Sequence, residues 1–189
     1  MARIIKRLED YVTTNIALNT ESQPFFALYE VFVVGMSNEI SQNSRLMGFV
    51  LGFAGLSEVY KRGRELFKKV LRISDKTSEL AHIIYDASYC GLFSLAFLPP
   101  IYYAAGSRDL NEIAAGTGCG IMLGVINGAP AGYALDVFKD LTGLEECKRR
   151  SYPEFIKKQN PKIKKVIAAG LVALSIGAMS LIYLLNPRN

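Results

Sequence analysis

IAAGTGCGIMLGVINGAPAGYAL, residues 113–135, runs for 23 residues without a charge and sets glycine at every fourth position: Gly116, Gly120, Gly124, Gly128 and Gly132. As a helix, at ~1.5 Å per residue, such a run is long enough for a bilayer core of roughly 30 Å. Residues four apart lie near one face, so the glycines form a groove down the helix. In lipid, packing replaces the hydrophobic drive that water supplies, and a glycine groove lets another helix backbone approach closely. In water, each glycine inside a helix costs roughly 0.5–1 kcal/mol relative to alanine. The stretch therefore reads as a membrane helix.

The rest of the chain divides its charges in the same way. Half of its 189 residues are hydrophobic. Residues 87–107 and 166–187 are further uncharged runs, of 21 and 22 residues. Residues 42–60 make another apolar stretch, with Arg45 and Glu58 near its ends, and residues 11–36 one interrupted by Glu21 and Glu30. The expected fold is all-α: a polytopic membrane helical bundle with a four-span core and an additional C-terminal span. The expected divisions are a membrane domain over 1–141, a basic cytoplasmic linker over 142–165 and the extra transmembrane helix over 166–189.

The net charge of +5 does not point to nucleic acid. With the N-terminus inside, 19 of the 22 Lys and Arg fall on the cytoplasmic side, and only Arg45, Arg108 and Arg188 fall outside. That is the positive-inside pattern of an inner-membrane protein, with the N-terminus cytoplasmic and the C-terminus outside. The basic loops then serve topology and attract anionic lipid. A nucleic-acid-binding motif and aromatic interleaving are both missing.

Several local features shape the spans. Asn19, Thr20, Glu21, Ser22 and Gln23 form a polar cluster before Pro24, which removes a backbone donor and disfavours helix at Gln23. Residues 37–43 read as a short polar outer loop. Gly48, Gly52 and Gly55 make a second small-residue face. Residues 61–76 mix Leu66, Phe67, Val70, Leu71 and Ile73 with basic residues, the pattern of a helix lying in the membrane interface. Pro99 and Pro100 are expected to bend or end their helix, and Pro130 to kink the glycine helix. Cys90, Cys119 and Cys147 show no disulfide or metal spacing, and the lone His82 stands at a span entrance.

No nucleophile elbow, zinc spacing, phosphate loop or dinucleotide fingerprint is present, so the sequence does not read as an enzyme and implies no cofactor or metal. What remains is a set of charges at membrane depth: Glu30, Arg45, Glu58, Asp86 and Asp136. A charge at the bilayer centre costs on the order of 2.5–3.5 kcal/mol on insertion scales, which makes each a functional candidate. Glu58, beside Lys61 and Arg62, reads as part of an exposed ion pair. Glu30 lies among Phe25, Phe26, Tyr29 and Phe32, an expected low-dielectric setting. Arg45 begins the next span on the same side, placed to hold that charge or meet a substrate carboxylate. Tyr85 and Tyr89 flank Asp86 as hydrogen-bonding partners. The candidate proton and substrate residues are Glu30, Arg45, Asp86 and Asp136, with Asn127, Pro130 and Tyr102 as site lining.

The stretch from Tyr29 to Ser37, YEVFVVGMS, followed by Ser44, Arg45 and Leu46, resembles the start of the bacterial L-alanine exporter family. The likeness continues at Tyr60, Lys61 and Arg62, at Asp86, at Pro100, Ile101 and Tyr102, and at Gly128, Gly132, Tyr133, Leu135 and Asp136. It covers about residues 7–141; the fifth span and its basic linker have no counterpart. The resemblance implies a small four-span inner-membrane protein that exports L-alanine with the proton motive force. It also implies that Glu30, Arg45, Asp86, Asp136, Gly128 and Gly132 belong to the shared pattern. The expected partners are a small neutral amino acid, protons, the lipid bilayer, and a second copy in a homodimer or higher homo-oligomer packed through glycine faces. Efflux of small cationic compounds and a non-transporting membrane scaffold are the alternatives.

Overall fold

The computed structural model describes residues 2–72, 79–147 and 152–186. Every regular element among them is a helix. In chain order they are α1 (Ala2–Tyr29), α2 (Asn38–Leu51), α3 (Ser57–Val70), α4 (Glu79–Ala105), α5 (Leu110–Thr142), the single turn α6 (Glu154–Lys157) and α7 (Pro161–Leu185). Residues 73–78, the end of the expected interfacial segment, lie outside the described residues, as do 148–151 and 187–189.

The glycine stripe is the seam of the fold. Going up α5, Gly116 lies against Tyr102, Gly120 against Leu98, Gly124 against Cys90 and Ser94, and Gly128 against Asp86 and Ala87. The partners descend as the glycines ascend, so α4 and α5 pack antiparallel. They are joined by a tight turn in which Gly106 takes φ 114° and Asp109 caps α5 by accepting from the Asn111 N–H at 2.8 Å. At Gly128 a Cβ would come within 2.9 Å of the α4 backbone. The groove is therefore filled by α4 of the same chain. From Gly116 to Gly128 the face expected to receive a second copy is occupied by α4.

The other helices complete the bundle around this pair. α1 packs on α5 and α7, and α2 packs on α4. Met36, Leu98 and Tyr102 form the buried core at one end, with Phe26, Val34, Ile40 and Ile113 against them. α7 is not a detached anchor: it packs on α1 and α5. Its outer side leaves Val166, Leu174 and Leu184 more than two-thirds exposed.

Several local expectations need correction. α1 continues through Pro24. The polar cluster is knit along the helix: Asn19 Nδ2 donates to the Asn15 carbonyl at 2.8 Å, Ser22 Oγ to the Leu18 carbonyl at 2.7 Å, and Gln23 Nε2 to Asn19 Oδ1 at 2.6 Å. Side chains satisfied one turn back do not force the backbone out of the helix. α4 likewise runs through Pro99 and Pro100, because Ile101, Tyr102 and Ala105 beyond them are buried and hold the last turns by packing. Pro130 does bend α5, by 54° between Leu110–Gly128 and Pro130–Thr142. The expected outer loop at 37–43 is instead the first turn of α2, which Ser37 caps by accepting from the Ile40 N–H at 3.3 Å.

The span expected over 42–60 is broken. A π-helical turn, Gly52–Leu56, separates α2 from α3, and Gly55 within it takes φ 120°, a conformation open to glycine and strained for other residues. Of the described helices, α7 alone is long and apolar enough to cross a membrane by itself; α5 joins it if its bent halves count as one span. Serines, tyrosines and prolines lower the hydropathy of the uncharged run in α4. The helical class stands.

Candidate functional site

Glu30 opens a second π-helical turn, Glu30–Val34, which ends at Gly35 with φ 80°. Such widened turns recur at functional sites because they re-aim a side chain without ending the helix. Here the turn leaves Glu30 only 1% exposed. Its Oε1 accepts from Arg45 Nη2 at 2.5 Å and from Tyr102 Oη at 2.8 Å. Its Oε2 accepts from Ser41 Oγ at 2.7 Å and Ser44 Oγ at 3.3 Å. A carboxylate offers about four acceptor positions, and all of Glu30's are taken. The setting is polar, not the aromatic pocket expected: Phe25 and Phe32 point outward, and Phe26 stacks under the Arg45 guanidinium at 4.8 Å. Tyr183 on α7 joins the network through a 3.1 Å hydrogen bond between its Oη and Ser41 Oγ.

Asp86 belongs to a different cluster. It accepts from Arg64 Nε at 2.7 Å and Nη2 at 2.8 Å, the two-pronged geometry that favours arginine over lysine. The hydroxyls of the flanking Tyr85 and Tyr89 reach backbone carbonyls of α3. Tyr85 Oη donates to the Arg64 carbonyl, and Tyr89 Oη to the Tyr60 carbonyl at 2.9 Å. Asp86 and Tyr102 stand sixteen residues apart on α4, roughly 24 Å along its axis. The two arginine–carboxylate pairs thus sit at opposite ends of the bundle.

Between them lies a cavity of about 190 Å³, far above the ~10–15 Å³ that admits one water. Its apolar wall includes Phe26, Phe93, Phe97 and Leu98. Its polar wall includes Asn19, Glu21, Ser22, Gln23, Arg45 and Asn127. Among the described residues, both carboxylate oxygens of Glu21, the Gln23 Oε1 and the Arg45 Nε are buried without a hydrogen-bond partner. Asn127 faces the Glu21 carboxylate without closing a well-formed hydrogen bond. Buried polar atoms are nearly always partnered, so orphans of both charge signs around one cavity make it the candidate site.

Of the sequence candidates, Glu30 and Arg45 come together, and Arg45 and Asn127 line this cavity. Pro130 is exposed and does not line it. Tyr102 sits behind it, on Glu30. Asp136 is half-buried on the second half of α5 and is not part of the cavity wall. Glu58 pairs with Arg62 at 2.8 Å on the surface. The His82 side chain lies outside the described residues. Glu21 is not among the sequence candidates, because in the sequence it only interrupts an apolar run; its depth, beside Asn19 and Gln23, is the signal that could have singled it out.

A second cavity, of about 510 Å³, separates α7 from α1 and α2 and shares Asn19, Gln23 and Arg45 with the first. α7 is tied down beside it at both ends. At one, Asn38 Nδ2 donates to the Tyr183 carbonyl at 3.0 Å, and Asn186 Nδ2 to Asn38 Oδ1 at 2.7 Å. At the other, Asp140 accepts from Tyr152 Oη at 2.9 Å and from the Cys147 N–H at 3.4 Å, and pairs with Lys164 Nζ at 2.8 Å. Burial pushes the Asp140 carboxyl up, but the bonds from Lys164, Tyr152 and Cys147 outweigh it and hold it below its ordinary value. Burial and the same carboxylate raise the Tyr152 phenol. No family model, curated protein or solved structure matches this chain.

Proposed function

We infer that this chain is a polytopic inner-membrane exporter of a small neutral amino acid, L-alanine foremost, driven by the proton gradient. One observation carries the reading: a small cavity in the middle of the bundle with an unpaired guanidinium N–H of Arg45 and an unpaired carboxylate of Glu21. A zwitterion needs that pairing of charges. Its carboxylate would meet Arg45 Nε, and its ammonium group would meet Glu21. The volume and the phenylalanine wall suit a small side chain. The likeness of residues 29–37 and 44–46 to the alanine exporters and the apolar exterior of α7 support the same reading.

Of the two arginine pairs, the one with Glu30 borders the cavity, through Arg45. Glu30 also orients Arg45: it takes one Nη and leaves Nε for the substrate. The test is flux of labelled L-alanine in liposomes holding the purified full-length chain. Flux several-fold above protein-free liposomes, increased by an imposed proton gradient and lost in Arg45→Ala, is the expected result. Flux equal to protein-free liposomes would overturn the reading.

A further inference from the structure

We propose that Glu21 is the exchange site of the carrier, holding either a proton or the ammonium group of the substrate and never both. This deepens the amino-acid reading above and rests on it.

The acidic groups of the bundle differ in what they have left to offer. Glu30 has no acceptor position open for an ammonium group, since Arg45, Tyr102, Ser41 and Ser44 use all of them. Asp86 holds Arg64 by two hydrogen bonds. Glu21 is the one carboxylate lining the cavity among the described residues, and both its oxygens are buried without a well-formed hydrogen bond. An ionised carboxylate left so in a low-dielectric site is costly. A proton or an alkylammonium group removes the cost, and one excludes the other at the same oxygens.

The surroundings favour this choice. The charged and titratable groups that face Glu21 are Arg45 from α2, Tyr60 from α3 and Cys90 from α4; α5 contributes the neutral Asn127. Arg64 and Asp86 lie beyond Cys90 and are paired with each other. α7 carries no charged residue between 166 and 187. Arg45 is paired with Glu30, and among the described residues no ion pair to Glu21 forms, so a partner for it would come from the cavity. In the exchange the carboxyl O–H bond breaks, the proton leaves to water, and the carboxylate accepts hydrogen bonds from the incoming ammonium group. Substrate out and proton in then use one site in turn, which couples them without a second proton-carrying residue.

Two measurements test this. First, the solubilised wild-type chain in weak buffer with a pH-sensitive dye is mixed with L-alanine, and binding is followed in parallel by equilibrium dialysis of labelled alanine. Binding should release about one proton per alanine where the empty site is protonated; L-lactate, with a hydroxyl in place of the ammonium group, should release none. Alanine bound without proton release overturns the proposal and leaves the amino-acid reading standing, whereas no binding at all overturns that reading and this one with it. Second, in liposomes Glu21→Gln should abolish uphill alanine movement driven by a proton gradient, while Glu21→Asp keeps it. If Glu21→Gln still concentrates alanine like the wild type, Glu21 is not the exchange site.

Discussion

At the scale of single residues, the glycines of α5 are not equivalent. Gly128 lies against backbone atoms of Asp86 and Ala87, which cannot swing away as a side-chain tip can. Gly118, on the other side of the helix, has nothing within 4 Å of an added Cβ. Gly128→Ala should therefore lower thermal stability in detergent by an amount typical of overpacking, about 1–3 kcal/mol. Gly118→Ala should be neutral or slightly stabilising, by up to ~1 kcal/mol of helix propensity. Equal melting temperatures for the two variants would show that α4 and α5 do not meet along the stripe. Glu30 offers a second residue-scale prediction. Glu30→Ala strands Arg45 with its guanidinium buried, a loss of about 3–5 kcal/mol. Removing both partners in Glu30→Gln with Arg45→Gln should cost less than the sum of the single changes, by a double-mutant cycle on unfolding.

Among the elements, α7 is tied at both ends by side-chain hydrogen bonds, and Asp140 holds one of them. The folded-state carboxyl of Asp140 is lowered from its ordinary value. Its contribution is therefore fully present above the unfolded carboxylate value, ~3.9, and is lost as pH falls through the lower folded value. Below about pH 4, the segment joining α5 to α7 should become open to an acid-active protease, with Asp140→Asn showing the same opening at neutral pH. Unchanged cleavage in Asp140→Asn would mean that the Lys164 and Tyr152 contacts do not anchor the helix. The far end of α7 acts on the site itself, since Tyr183 shares Ser41 with Glu30. The sequence set α7 apart as an appendage because a charged linker precedes it; only the packed bundle shows it covering the polar side of α1.

For the whole molecule, the ends differ in charge. Lys6, Arg7 and Lys139 line one groove, and Asp10 bridges Lys61 and Lys139 at 3.5 Å each, so basic segments far apart in sequence gather at one end. On the proposed reading this end faces the cytoplasm. A single cysteine placed at Lys6, in a background without Cys90, Cys119 and Cys147, should label only from inside; labelling from outside would reverse the topology.

By itself, the sequence determined that the chain is helical, that α5 would turn a glycine face to a neighbour, and that Pro130 would bend it, since these follow from periodicity and from a missing backbone donor. It also brought out Glu30, Arg45 and Asp86, because charges in apolar runs are visible without a fold. Tertiary structure alone decided which charges are neutralised and which are left open. Hydrogen-bond saturation depends on partners such as Tyr102, Ser41 and Tyr183, which come from distant parts of the chain. The π-helical turn at Glu30 and the break at Gly55 were equally out of reach, because a change of one residue in helical register leaves no mark on composition or hydropathy. Glu21 became a candidate only once the helices had gathered around it, with both its oxygens buried and no ion pair to them among the described residues.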